Sequence, residues 1–273
     1  MTPSPAQRTL ISESLAAVPI NTGFARAVID GLVDGHTWIS PTVGPAAVHT
    51  VHAYGMSLAW GERVDDAFDE LITHLTGPGQ PVSDQWLQVD PRWVSLPWLQ
   101  RLNNGASSAV EEDTRVNFTF APDLFAPVPA PDGWHLRPAT AADFHWQGSV
   151  VPAAFWRDPT QFLAHGGGWV AEREGMVGSI AFSSFRFDES IELGIETHPS
   201  ARGHGLGHAV ASRMILGVLD SGLTPVWACR RGNHASYRLA QRLGFTPTTE
   251  LPCYHLTYAA GDQGTGRSRR HRA

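Results

Sequence analysis

The stretch Ile191-Glu192-Leu193-Gly194-Ile195-Glu196-Thr197, followed after Pro199 by Arg202-Gly203-His204-Gly205-Leu206-Gly207, constrains this chain more than any other segment. Strict alternation puts Ile191, Leu193 and Ile195 on one face of a strand and Glu192, Gly194 and Glu196 on the other. One face is expected in a core. The other is expected to be wet, with its two carboxylates roughly 13 Å apart by strand rise. Glycine tolerates backbone conformations that other residues avoid, so the turn lets N–H groups converge. It opens directly onto a helix expected from about Leu206 to Ser221, closed by Gly222 and Pro225. Unpaired N–H groups and the helix dipole favour an anion at such an end. A strand, glycine turn and helix in this order form a pyrophosphate cradle, and the chain is expected to be α/β.

The details narrow which cradle it is. Glycines at 203, 205 and 207 do not fit G-x-G-x-x-G, and the next strand, Val226 to Cys229, leads into Arg230 rather than the acid a ribose requires. No lysine follows the turn, so it is not a P-loop. The segment resembles the acyl-CoA signature of GCN5-related N-acetyltransferases (GNAT), Arg/Gln-x-x-Gly-x-Gly/Ala, through Arg202, Gly205 and Gly207. The resemblance continues through a helix, a strand, a helix capped by Asn233 and the pair Gly244-Phe245. More narrowly, ELGIETHPSARGHGLG, the preceding AFSSF, GLTPVWAC and RLAQRLGF are similar to the zwittermicin-resistance type of GNAT protein. RVNFTF followed by DLF is similar to the end of the extra N-terminal domain which that type carries.

The resemblance implies a GNAT fold with a mixed, mostly antiparallel central sheet splayed at its centre, preceded by an α/β domain that is a degenerate relative of it. It implies acetyl-CoA as acyl donor and a primary amine of a small molecule as acceptor, in the manner of antibiotic-inactivating self-resistance enzymes. The backbone of Arg202, Gly203, His204, Gly205, Leu206 and Gly207 would hold the pyrophosphate. Ile195, Glu196 and Thr197 would pair with pantetheine amides, and Asn233 and Ser236 would lie beside that arm. Glu192 occupies the place of the family's general base, with Glu196 as the alternative. A base is needed because an alkylammonium, with a pKa near lysine's value of about 10.4, cannot attack a thioester before losing a proton. Many relatives carry a tyrosine acid in the last helix where this chain has Ala240; Tyr237 lies one helical turn earlier. Two other functions fit the same residues, acetylation of a protein or peptide amine and a coenzyme A sensor without turnover.

Length and composition set the frame. A chain of 273 residues suits two domains, and 42% apolar with 17% charged residues is ordinary for a globular protein. The proline-rich run 126–133 is read as a linker between residues 1–125 and 134–258, with the substrate expected to enter between the two. In the first domain, Phe68, Leu71, Ile72 and Leu75 share a helical face within Asp65 to Leu75, and Val116, Phe118 and Phe120 share one side of a strand. Trp38, Trp60, Trp86, Trp93 and Trp98 are expected in cores and at the domain interface rather than in a substrate box. In the second, Thr140 and Asp158 offer helix caps, Glu174-Gly175 a hairpin turn, and Thr248 to Tyr258 a strand interrupted by Pro252.

A formal charge of −6 argues against a nucleic-acid partner, and residues 259–273, with Arg267, Arg269, Arg270 and Arg272, read as a solvated tail. The N-terminus lacks a secretory pattern and no run reaches membrane-spanning length, so the cytoplasm is the expected location. Cys229 and Cys253 read as small buried hydrophobes. His198, His204, His208 and His234 crowd the cradle without the spacing of a metal motif, so no metal is expected.

Overall fold

A computed structural model describes residues 4–258 apart from 79, 81–83, 107–108 and 188; the tail 259–273 lies outside the described residues. The described residues form two compact units, one from the first part of the chain up to 115 together with 251–258, and one of residues 116–250. The segment 126–133, read as a linker, falls inside the second unit. It carries no helix or strand, in keeping with its prolines, and its Val128 N–H donates to Ser212 Oγ at 3.4 Å.

In the first unit, α1 (Pro5–Ala16) starts in a capping box: Gln7 N–H donates to Ser4 Oγ at 3.3 Å, and Ser4 N–H to Gln7 Oε1 at 3.0 Å. Then come α2 (Gly23–Ile29), β1 (Gly35–Ser40), β2 (Gly44–His52), β3 (Met56–Trp60), α3 (Phe68–Thr76), β4 (Asp84–Val89), α4 (Trp98–Gly105) and β5 (Glu111–Phe120), whose last residues belong to the second unit. β1, β2 and β3 pair antiparallel, while β3 and β4 run parallel from Met56↔Trp86 to Ala59↔Val89. The expected face of α3, Phe68, Leu71, Ile72 and Leu75, is buried in a cluster with Leu87, Trp98 and Leu102. α3 starts at Phe68 rather than Asp65. Trp60 and Trp98 are fully buried, with Trp60 Nε1 donating to Ser14 Oγ at 3.0 Å.

This unit also holds histidines inside its packing. His49 Nδ1 lies 3.1 Å from His74 Nε2, and the His74 ring stacks on Trp38 at 4.8 Å. Burial, with His74 adjacent, pushes the His49 pKa down to about 3; burial pushes His74 to about 4. Burial, partly offset by Asp34, pushes His52 to about 4. The folded state therefore binds fewer protons than the unfolded chain between the ordinary histidine value of about 6.5 and these depressed values. Stability is complete above about pH 6.5 and is lost as pH falls toward 4, by up to about 1.4 kcal/mol per pH unit for each histidine. Urea unfolding should show a clear loss of stability between pH 7.5 and pH 5, most of it removed in a His49→Gln, His74→Gln double variant. Equal wild-type stability at both pH values would contradict this.

The second unit contains β6 (His135–Pro138), α5 (Pro159–His165), β7 (Gly168–Arg173), β8 (Met176–Phe187), β9 (Ser190–Thr197), α6 (Leu206–Asp220), β10 (Thr224–Arg230), α7 (His234–Arg242) and the start of β11 (Phe245–Thr257). Its strand order is β6-β7-β8-β9-β10-β5. The pairs from β6 to β9 are antiparallel and β9–β10 is parallel. The β7–β8 hairpin closes as expected at Glu174 and Gly175, both with positive φ (51° and 78°). α6 buries Leu206, Val210, Met214, Ile215 and Val218 against Ile191, Leu193, Trp227, Leu243 and Phe245. Thr140 and Asp143 form the expected capping box on a short 3-10 helix, Ala141–His145, and Arg137 donates to both Asp143 and Glu172. Cys229 and Cys253 are both buried. β11 differs from expectation, starting at Phe245 and passing through Pro252 uninterrupted. Its antiparallel ladder to β4, in the first unit, begins only at Cys253, so that ladder demands no N–H from the proline. Among the described residues no helix is long and apolar enough to cross a membrane.

Candidate active site

β9 is paired along one edge and open along much of the other. Its ladder with β8 runs from Ser190↔Phe187 to Thr197↔Ser179, whereas the parallel ladder with β10 ends at Glu192↔Val226. Both strands continue past that point, so among the described residues the β10-side edge of Leu193 to Thr197 has no ladder partner. Outward-facing backbone N–H and C=O groups of residues 193–195 there remain available to a ligand that can add as a strand does, whereas at Thr197 the N–H is held by Glu196 Oε1 and the carbonyl by Arg202.

The cradle follows at once. A 3-10 turn, Pro199–Ala201, is capped by His198, whose Nδ1 accepts from Ser200 N–H at 3.3 Å, and Ala201 anchors it in the core. Arg202 Nε donates to Thr197 O at 3.1 Å. Gly203 (φ 83°) and Gly205 (φ 78°) take left-handed conformations that a side chain would strain. Gly205 is the N-cap of α6, and no side chain caps that end, leaving first-turn N–H groups for an external acceptor. Leu206 is buried, while residues 202–205 are exposed. A Cβ on Gly207 would lie 3.3 Å from Thr197 Oγ1 and 3.8 Å from Leu239 Cδ2, so cradle, β9 and α7 meet there. His204 is exposed, and burial together with neighbouring Arg242 lowers the His208 pKa.

Asn233 and Ser236 have local partners. Asn233 Oδ1 accepts from Ser236 N–H at 3.1 Å, capping α7, and Ser236 Oγ accepts from Trp227 Nε1 at 3.2 Å. Ala240 is fully buried, and the Tyr237 ring packs edge-on against Phe118 at 5.3 Å.

The two carboxylates depart from expectation. Glu192 does not lie on a wet face: it is 8% exposed. Alternation separates two faces correctly, but residues 139–167 cover the second one. From that segment Phe155 packs on Phe182 and Phe185, the cross-strand neighbours of Gly194 and Glu192. A Cβ on Gly194 would sit 2.5 Å from the Phe182 ring, so only glycine lets that ring cross the strand. Glu196 is engaged by main chain: Oε2 accepts from Ser149 N–H at 3.0 Å and Val150 N–H at 3.1 Å, and Oε1 from Thr197 N–H at 3.1 Å. The segment 146–156 carried no sequence signal for this contact, because it offers backbone N–H groups rather than a side-chain motif.

A profile of the GNAT acetyltransferase family matches residues 137–254. The uncharacterized N-acetyltransferase YdfB of Bacillus subtilis (strain 168) is 34% identical over 37% of this chain and 39% of its own length, so the chain spans well under half of that relative. The L-amino acid N-acyltransferase MnaT of Escherichia coli (strain K12) is 30% identical over 42% of this chain and 77% of its own. A GCN5-related N-acetyltransferase-like protein from Streptococcus suis 89/1591 shares the fold, with a TM-score of 0.68 over 92% of this chain and 98% of that one at 20% identity. A tandem GNAT protein from the clavulanic acid biosynthesis pathway shares it with a TM-score of 0.55 over 93% and 95% at 12% identity.

Proposed function

The chain belongs to the GNAT acetyltransferase family, and from that premise we propose that it transfers an acetyl group from acetyl-CoA to a primary amine of a small molecule. The observation carrying this reading is the uncapped, left-handed glycine turn of α6 beside the open edge of β9. The first offers N–H groups to a pyrophosphate and the second offers backbone partners to pantetheine amides. The first unit lacks both features among its described residues. Its parallel ladder reaches Ala59↔Val89, next to the end of β3, and Asp65, Asp66, Asp69 and Glu70 crowd the start of α3, where they repel phosphate. Among the described residues, the donor site we propose therefore falls in the second unit.

Acetyl-CoA supplies a thioester carbonyl open to attack by an amine. Glu192 takes the proton an alkylammonium must lose, the C–N bond forms as the C–S bond breaks, coenzyme A departs as thiolate, and the second nitrogen proton passes to that thiolate or to solvent. A thiol with an ordinary pKa of about 8.5 can leave as thiolate, so Ala240 in place of an acid slows the step without forbidding it. The acceptor class is supported by the E. coli relative, an L-amino acid N-acyltransferase, and a self-resistance role by the likeness of residues 192–207 to the zwittermicin-resistance type.

Acetyl-CoA at about one hundred times its Kd should stabilise the fold by about 2.7 kcal/mol, and NAD should not. A melting curve unmoved by saturating acetyl-CoA, or moved more by NAD, would overturn the cradle.

A further inference from the structure

The Glu196 side chain is only 13% exposed, and its oxygens are occupied. Two backbone N–H groups from residues 46 and 47 positions earlier, Val150 and Ser149, converge on Oε2. Oε1 accepts from Thr197 N–H and lies 3.5 Å from Arg202 Nη2. Gly148 packs on the stem: a Cβ there would come within 2.7 Å of Glu196 Cγ. The lone pairs a base would offer to substrate are already engaged by main chain. These contacts tie residues 148–151, part of the segment covering the Glu192 face, to the end of β9. Arg202, the first residue of the cradle, touches the same carboxylate and the Thr197 carbonyl.

We infer that Glu196 is a positioning residue: a strut that fixes residues 148–151 as a preset wall for the acceptor amine, registered to the cofactor turn. The inference rests on the acetyl transfer proposed above. A carboxamide oxygen can still accept both N–H bonds, whereas a methyl cannot. Ser149 is exposed, so its released N–H can turn to water and the unit stays folded.

Glu196→Ala should raise the KM for the amine on the order of tenfold, the size of one lost charge-assisted hydrogen bond. Its kcat, acetyl-CoA affinity and pH profile should stay close to wild type. Glu196→Gln should restore most of that KM. Gly148→Val, which pushes the loop off an intact carboxylate, should reproduce the alanine result. If Ala and Gln instead both lose turnover about a hundredfold, with a residual rate that rises with pH, Glu196 is a base and the strut is wrong. Loss of acetyl-CoA affinity with an unchanged amine KM, or wild-type KM in all three variants, also overturns it. Hydrogen exchange gives a readout that needs no turnover, and so separates failure of the strut from failure of the proposed reaction. The Ser149 and Val150 amides should be protected in wild type and Glu196→Gln and exchange freely in Glu196→Ala; equal exchange in all three overturns the strut even if no amine is ever acetylated.

Discussion

Glu192→Gln is expected to lower turnover by about 10²- to 10⁴-fold, the usual contribution of a positioned general base, with acetyl-CoA affinity little changed. Glutamine keeps the size and hydrogen-bonding reach of a side chain that is 8% exposed, so packing with β8 and β10 survives and the charge is what changes. The residual rate should rise with pH as free amine becomes available. Glu196→Gln is the internal comparison: it alters a carboxylate on the same strand face whose oxygens are held by Ser149, Val150 and Thr197. A Glu192→Gln enzyme that keeps more than about a third of wild-type turnover near neutral pH would move deprotonation to water or another group.

Gly205→Glu is expected to weaken acetyl-CoA binding by more than about a hundredfold, because it sets a carboxylate where phosphate must approach the N–H groups of α6. Space is not the obstacle, since the nearest atom to a Cβ at this position would be Pro131 Cγ at 3.9 Å. The left-handed backbone (φ 78°) costs a side chain about 1–2 kcal/mol, which the unit can absorb while remaining folded. Gly205→Asn separates the two effects, because asparagine tolerates this conformation and carries no charge; it should bind within about tenfold of wild type. Near-normal calorimetric affinity in a folded glutamate variant would place the anion elsewhere.

These two glutamate and glycine positions lie in parts of the molecule that differ in how far sequence reveals them. The run from Ser190 to Asp220 was legible almost residue by residue, because period-two alternation, a proline stop, a glycine turn and an apolar helix agree with one another. The Glu174-Gly175 hairpin was legible for the same reason. The burial of Glu192 was not, since alternation reports two faces and not what comes to cover them, and its cover is brought in from residues 139–167. The engagement of Glu196 was hidden more deeply, because its partners are main-chain N–H groups that every residue but proline possesses. Pro252 misled in the opposite direction: a proline usually ends a strand, but the ladder to β4 begins one residue after it.

Acetyl transfer from acetyl-CoA to an amine is tested most directly by incubating the full chain with isotopically labelled acetyl-CoA and a chemically diverse panel of primary amines, read by thiol release and product mass. Enzyme-dependent release of coenzyme A is expected, matched by a labelled N-acetyl product for at least one amine, with both abolished in Gly205→Glu. Tight acetyl-CoA binding with no thiol release across the panel would contradict acetyl transfer and mark the protein as a sensor of coenzyme A.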